Sequence, residues 1–366
     1  MRTIVISAVN LRSAGPLSIL QDCLRTLDDE YSKSYRIVAL VHRKSLFKGF
    51  DNIEFIEYPK SADSYLYRLF LEYFYFKKIS LRIKPYLWFS LHDITPNVIA
   101  QRRAVYCHNA APFYNMSLRD ALLQPGLIFF NFLYKLFYAG NISCNDYVVV
   151  QQDWLRDEFL KQFKVDNVVV AYPSLDSLPN TAPGLYENGA SSDDFVFVYP
   201  AFPRVFKDIE VICEAVELLL ERGMTGFEVW LTVDGSENRY SKFIRRKYGG
   251  LAEVKLMGIQ SREDIMGWYH KSDALIFPSK LETWGLPITE YKVTGKPMLV
   301  VDLPYARETV GDYDKVCFFS KSDSFMLADH MQSLICNRLV FEGNKALQPR
   351  APFLVGWSKL FAYMLK

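Results

Sequence analysis

The chain has 366 residues, with 43 Lys and Arg against 41 Asp and Glu, and half of its residues are hydrophobic. That length is enough for two domains with a sizeable core in each. Charge so near balance gives no field that would select nucleic acid as a partner. No apolar run reaches the roughly eighteen residues that a membrane-spanning helix needs. The six cysteines (Cys23, Cys107, Cys144, Cys213, Cys317 and Cys336) fall at no metal-ligand or disulfide-framework spacing. They read as reduced, mostly buried thiols of a cytoplasmic protein.

Thr3–Val9 is an apolar run that reads as the first strand of a parallel sheet rather than as a signal peptide. It leads through a loop, Asn10–Pro16, that contains Gly15, into a helix expected over about Leu17–Leu27. A doubly wound sheet meets its ligand through such a strand, glycine loop and helix. Arg36–Val41 and Glu54–Glu57 read as further strands. Between Ser64 and Trp88 stand nine aromatic and five basic residues (Arg68, Lys77, Lys78, Arg82, Lys84) against one acid, Glu72. Leu66, Leu69, Phe70, Tyr73 and Phe74 recur there at helical spacing, so the stretch is either an interfacial helix with cations on anionic headgroups or a core helix. Leu127–Tyr138 is a second apolar and aromatic stretch, with Lys135 alone charged. Pro85–His92 and Ala104–Cys107 read as strands whose ends carry His92 and His108, and ligands collect at strand ends. A neutral imidazole at such an end can hydrogen-bond a hydroxyl. Asp146–Val150, the helix Asp153–Phe163 and Asn167–Ala171 close this half. Ser174–Asp194, rich in Pro, Gly, Ser and acids, reads as an interdomain linker.

Phe195–Tyr199 opens the second half and runs into Arg204 and Lys207 before a helix over about Asp208–Arg222. An arginine can grip phosphate oxygens in two places, and a lysine adds a compact charge. Strands are expected at Phe227–Val233, ending in Asp234-Gly235, and at Val254–Met257, ending in Gly258. The most informative stretch is Phe277–Val301. A buried strand, Ala274–Phe277, gives way to Pro-Ser, Glu282 and Trp284-Gly285-Leu286-Pro287, where a helix should begin with Pro287 in its first turn. Glu290 follows Glu282 after seven intervening residues. A helix opening at the carboxyl end of a strand favours anions, and a carboxylate one turn further in can accept two hydrogen bonds from a vicinal diol such as a ribose.

Glu282 and Glu290 at that spacing, with F-P-S before, W-G-L-P-I between and G-K-P after, resemble the donor-site motif of family 4 glycosyltransferases of the GT-B fold. The resemblance implies two Rossmann-like α/β domains with parallel sheets facing across a cleft. The first, residues 1–178, would bind the acceptor, and the second, residues 190–350, the nucleotide-sugar. Residues 351–366 would form a helix crossing back to the first. It further implies a retaining, hexosyl-type, metal-independent transferase with no cofactor. Arg204 and Lys207 would grip the diphosphate, although only two residues separate them here. Gly15 would approach the donor, as the one glycine present of a usual pair. Gly258 would lie along the base, Gly285, Leu286 and Pro287 at the diphosphate, and Glu290 on the ribose. Glu282 would hold sugar hydroxyls, and His108 would touch the donor sugar. The partners implied are a nucleotide-sugar and a saccharide or lipid-linked saccharide acceptor of surface polysaccharide synthesis, with contact to an anionic membrane and none to nucleic acid. Two other functions stay open: a two-lobed, non-catalytic sugar-binding protein, and a GT-B sugar-nucleotide epimerase.

Overall fold

A computed structural model describes residues 1–12, 14–173 and 194–366, with the side chains of residues 14 and 15 outside the description. All of the expected linker except Asp194 therefore lies outside the described residues. The chain divides into two compact units. One comprises Met1–Pro112, Asn131–Ser177 and Pro349–Lys366, the other Phe113–Phe130 and Leu178–Gln348. The segment Phe113–Phe130, placed in the first domain on sequence grounds, thus clusters with the second unit.

The first unit contains β1 (Arg2–Ala8), β2 (Tyr35–Val41), β3 (Ile53–Glu57), β4 (Leu87–Ser90), β5 (Arg102–Cys107), β6 (Tyr147–Val150) and β7 (Val168–Tyr172). The second contains β8 (Phe195–Tyr199), β9 (Phe227–Leu231), β10 (Val254–Leu256), β11 (Ala274–Phe277), β12 (Met298–Val301) and β13 (Val316–Phe319). A last strand, β14 (Phe353–Val355), returns to the first unit and pairs with β7. The first sheet runs β14-β7-β6-β5-β4-β1-β2-β3 and the second β10-β9-β8-β11-β12-β13, with every pairing parallel.

Strands this apolar on consecutive residues must be covered on both faces, and the first sheet shows how. Ile4, Ile6, Ala8, Ile37, Ala39, Val41, Leu87 and Phe89 share one core with Leu20, Cys23 and Leu24 of helix Ala14–Thr26 and with Leu360, Phe361 and Met364 of helix Trp357–Met364. Val5, Val38, Leu40 and Trp88, one residue out of phase, face the other way and pack on Leu71, Phe76 and Ile79. The period of two along each strand assigns alternate residues to the two layers.

Two sequence expectations are revised here. Helix Ala14–Thr26 starts three residues earlier than expected, so Gly15 lies in its first turn and not in a loop before it. Pro16 permits this, because a first-turn residue has no intrahelical partner for the N–H that proline lacks. The stretch Ser64–Trp88 is core and surface at once. Leu71, Glu72, Phe76, Ile79 and Ser80 are buried, whereas Leu66, Phe70 and Phe74 are exposed at 79%, 51% and 69%.

The returning chain is held by a clasp. The buried Arg156 guanidinium donates at 2.6 Å to the carbonyls of Arg350 and Pro352, directly before β14. Arg350 in turn reaches Asp153 at 3.0 Å and also Asp157. Charged donors on backbone carbonyls contribute about 1.5–3 kcal/mol each, and truncation strands the carbonyls. Arg156→Ala should therefore lower unfolding stability by about 2–4 kcal/mol and expose the C-terminal segment to protease. An unshifted denaturant midpoint with unchanged proteolysis would show that the clasp contributes nothing.

Candidate active site

In an open parallel sheet, ligands bind outside the carboxyl ends of the strands, where the strand order reverses. In the second sheet the chain lays down β8, β9 and β10 outward in one direction. It then returns to place β11, β12 and β13 in the other. The reversal falls between β8 and β11. Lys207 follows β8 and Glu282 follows β11, and their side chains meet as an ion pair.

The loops carrying this pair are laced together. Lys207 ends a short 3-10 turn, Val205–Lys207, and Asp208 adopts a left-handed backbone (φ +53°) before helix Ile209–Glu221. Lys280 Nζ lies 3.1 Å from Asp208 Oδ1, and Ser322 Oγ donates to Asp208 Oδ2 at 2.7 Å. The Lys280 amide donates to the Phe206 carbonyl at 2.6 Å. Buried hydroxyls fix the loop carbonyls from behind. Tyr199 donates to Lys207 O at 3.0 Å, Tyr305 to Ser279 O, and Thr309 to Trp284 O. Burial first, and then the charge of Glu282, hold the Tyr199 and Tyr305 hydroxyls well above the usual phenol range, so they remain protonated donors. Spacing arguments did not identify Tyr199, Asp208, Lys280, Tyr305 or Thr309. The available signal was that Tyr199 and Asp208 flank the loop that ends in Lys207.

Glu290 lies on helix Leu286–Lys292 and is nearly buried, with 13% of its side chain exposed. Tyr269 donates to its Oε2 at 3.2 Å, and Arg262 stands 3.5 Å from Oε1. Burial raises its pKa above the usual carboxylate value, and the Arg262 charge and the Tyr269 hydrogen bond pull in the opposite direction. Gly285 caps the helix with φ +88°, Leu286 is exposed at 45%, and Pro287 takes the first turn as expected. Trp284 Nε1 donates to Thr289 Oγ1 at 2.9 Å, closing the bend between the two glutamates. Gly258 follows β10 with φ +70°, and a Cβ there would stand 2.9 Å from Asp234 Oδ2, so no larger residue fits without displacement. Arg204 is exposed, with its guanidinium 5.2 Å from the Phe202 ring and no carboxylate within ion-pair distance among the described residues. It does not join the cluster that Lys207 forms with Glu282.

The first sheet reverses between β1 and β4. His92, just past β4, is fully buried. Its Nε2 lies 3.0 Å from Glu72 and 3.3 Å from Ser7 Oγ, which makes it part of the core and unavailable to a ligand. His108, just past β5, keeps 18% of its side chain exposed and faces Asp93 with Nε2 at 3.6 Å from Oδ2. Gly15 belongs to this unit, in the helix that follows β1. No group of three His, Cys, Asp or Glu among the described residues is arranged to hold a metal ion.

Residues 187–351 match the family model described as Glycosyl transferases group 1. A curated protein named "Putative glycosyltransferase EpsD", from Bacillus subtilis (strain 168), is 26% identical over 164 residues, or 43% of this chain and 42% of that protein. This chain thus aligns with about two fifths of the length of the curated relative it matches. Among solved structures, WaaG, a glycosyltransferase involved in lipopolysaccharide biosynthesis, superposes with a TM-score of 0.64 at 11% identity, over 91% of this chain and 90% of that one. Anabaena Alr3699/HepE, solved with UDP-glucose, gives 0.57 at 14% identity, over 92% and 90%. At such identities the likeness is one of fold. The two parallel α/β sheets match those of GT-B glycosyltransferase structures, and residues 187–351 match the glycosyl transferases group 1 model.

Proposed function

We propose that the chain transfers a hexose from a nucleotide-sugar to an acceptor hydroxyl, with retention at the anomeric carbon. The observation that carries this reading is the meeting of Lys207 and Glu282 at the strand-order reversal, with Glu290 one helix turn beyond. Lys207 meets the charge that gathers on the leaving diphosphate, and Arg204 supplies a second cation from the same loop. The backbone at Gly285, Leu286 and Pro287 borders the diphosphate, and Gly258 lets the chain pass close to the base. Glu290 holds the ribose, Glu282 the sugar hydroxyls, and His108 a hydroxyl near the reacting carbon. The acceptor oxygen bonds to the anomeric carbon as the bond to the diphosphate oxygen breaks. The acceptor proton passes to that departing oxygen, and a nucleoside diphosphate leaves. No metal ion or cofactor is needed in this scheme, because lysine, arginine and amides carry the stabilisation.

The relatives support a substrate class. EpsD, WaaG and HepE bear names that join glycosyl transfer, lipopolysaccharide and UDP-glucose, and a lipid-linked saccharide of surface polysaccharide synthesis is the acceptor we infer. The exposed face of Ser64–Trp88 supports contact with an anionic membrane at the inner face of the cell membrane. Leu66, Phe70 and Phe74 line a groove of about 680 Å³ with Leu69, Tyr73, Asn97 and Asn141, and Lys77, Lys78, Arg82 and Lys84 are all exposed on the same stretch. The one acid there, Glu72, is buried and takes no charge to the surface. Apolar side chains beside unpaired cations are what an anionic interface binds.

Three tests follow from these assignments. Glu290 has a native pKa above its unfolded value, so it favours folding only below the ordinary carboxylate range. That benefit is lost as pH rises through the native value, and at neutral pH the buried charge costs stability. Glu290→Gln should therefore keep or raise the thermal midpoint at pH 7 while weakening sugar-nucleotide binding about tenfold or more in calorimetry, as loss of a charged hydrogen-bond acceptor does. Unchanged affinity across a panel of UDP-, GDP- and dTDP-sugars would end the ribose assignment. Lys207→Ala should lower nucleoside diphosphate release by about a hundredfold, the usual loss for one charge-stabilising donor. Near-wild-type release would remove Lys207 from the site, and a protein that binds free sugar but releases no nucleotide would favour the binding-protein reading. Finally, Phe70→Ser with Phe74→Ser should reduce co-sedimentation with phosphatidylglycerol vesicles. Equal pelleting of variant and wild type would reject the membrane face.

A further inference from the structure

We infer that Asp93 is a positioning residue that sets His108 and Asn109 in place at the carboxyl end of β5. For its bearing on catalysis this rests on the transferase reading above; for its geometry it does not. Asp93 is 3% exposed and adopts a left-handed backbone, φ +71°. That conformation is uncommon for a residue other than glycine, and the surrounding contacts hold it there. Its own amide donates to the Tyr106 carbonyl of β5 at 3.2 Å, which ties the end of β4 to the neighbouring strand.

The carboxylate is surrounded by donors. Oδ1 accepts the His108 amide at 2.7 Å and the Asn109 amide at 3.2 Å, and the Tyr138 hydroxyl lies 2.9 Å away. Oδ2 accepts the Tyr134 hydroxyl at 3.3 Å and faces the His108 imidazole. Two consecutive amides on one oxygen fix the direction in which the chain leaves β5. The Tyr138 hydroxyl also lies 2.9 Å from the Asn109 carbonyl and accepts the Asn109 amide at 3.2 Å, so the same peptide is gripped from both sides. Burial, followed by the Asp93 charge, keeps both tyrosine hydroxyls far above the ordinary phenol range, so they act as donors throughout the working pH range. The imidazole is confined as well. It lies 6.1 Å from the Tyr106 ring, and its Nδ1 is buried with no hydrogen-bond partner among the described residues. A core carboxylate that spends its acceptor capacity on the backbone of one strand end is a device for aiming that end.

Two measurements on the full chain test this. The first needs no activity. In protein labelled with ¹³C at histidine Cε1, Asp93→Asn should shift or broaden the His108 resonance, while those of His270 and His330 in the second unit stay in place. Tyr138→Phe should move the same resonance less, and it stands in if Asp93→Asn does not fold. A His108 signal unmoved in the folded variant overturns the inference. The second is a double-mutant cycle on UDP release from UDP-glucose. Asp93→Asn should lower kcat about tenfold in the wild-type background and less than twofold in His108→Ala, with donor KM changed less than threefold in both. Equal losses in the two backgrounds overturn the inference, because Asp93 would then act on something other than the His108 loop. If the unaltered protein releases no UDP from UDP-glucose, the transferase reading or that donor has failed, and the resonance measurement still decides the positioning role.

Discussion

A parallel sheet covered on both faces leaves one place for polar chemistry. Its interior is mostly apolar, and its amino-terminal edge presents the strand beginnings. The carboxyl edge is where consecutive loops converge with their side chains still near water. Each unit of this chain obeys that constraint separately. In the second, Lys207, Gly258 and Glu282 follow β8, β10 and β11. In the first, Asp93 and His108 follow β4 and β5. The order of strands then selects among loops, because only at a reversal do neighbouring strands send their helices to opposite faces and leave a gap. Lys207 and Glu282 stand at such a reversal, and their contact is a consequence of topology before it is a matter of charge.

That contact is also temporary by design of the proposed reaction. A lysine with 18% and a glutamate with 16% of the side chain exposed are still reached by solvent. Pairs open to solvent contribute at most about 1 kcal/mol to stability. A diphosphate offers Lys207 more negative charge than one carboxylate does, and sugar hydroxyls offer Glu282 new donors. In the proposed reaction the two residues would exchange each other for substrate, and in the empty state the pair keeps both charges satisfied. Asp208 and Lys280 make the neighbouring pair, at 12% and 6% exposure for lysine and aspartate, and tie the two loops together.

Much of the architecture was legible because buried parallel strands write themselves as short apolar runs. All twelve strands expected from such runs, Met298–Val301 after Gly295 and Pro297 among them, occur within a few residues of their expected ends. The two that were missed, β13 and β14, are four and three residues long. Gly15 was misplaced because Ser-Ala-Gly-Pro looks like a loop, whereas a proline early in the segment is equally suited to a first helical turn. At the site, Lys207, Glu282, Glu290 and His108 were named from charge, spacing and the motif they resemble. The residues that hold them were not. Tyr199, Tyr305 and Asp93 act through contacts between segments far apart in the chain. Nothing in a local pattern distinguishes a tyrosine that only fills the core from one that also pins a carbonyl. His92 was the reverse case. Its position at a strand end resembled that of His108, but a glutamate twenty residues earlier had already claimed it in the core.

Glu290 shows why such sites resist being read from packing rules alone. A carboxylate placed where burial raises its pKa weakens the folded state at neutral pH, and a glutamine of the same shape would avoid that cost. Tyr269 and Arg262 reduce the penalty without removing it. Under the proposed reading, the charge serves when a polyhydroxylated ligand arrives. In a half-dry site a carboxylate binds hydroxyl donors more strongly than it would in open water. The destabilising feature and the binding feature are then the same atom pair.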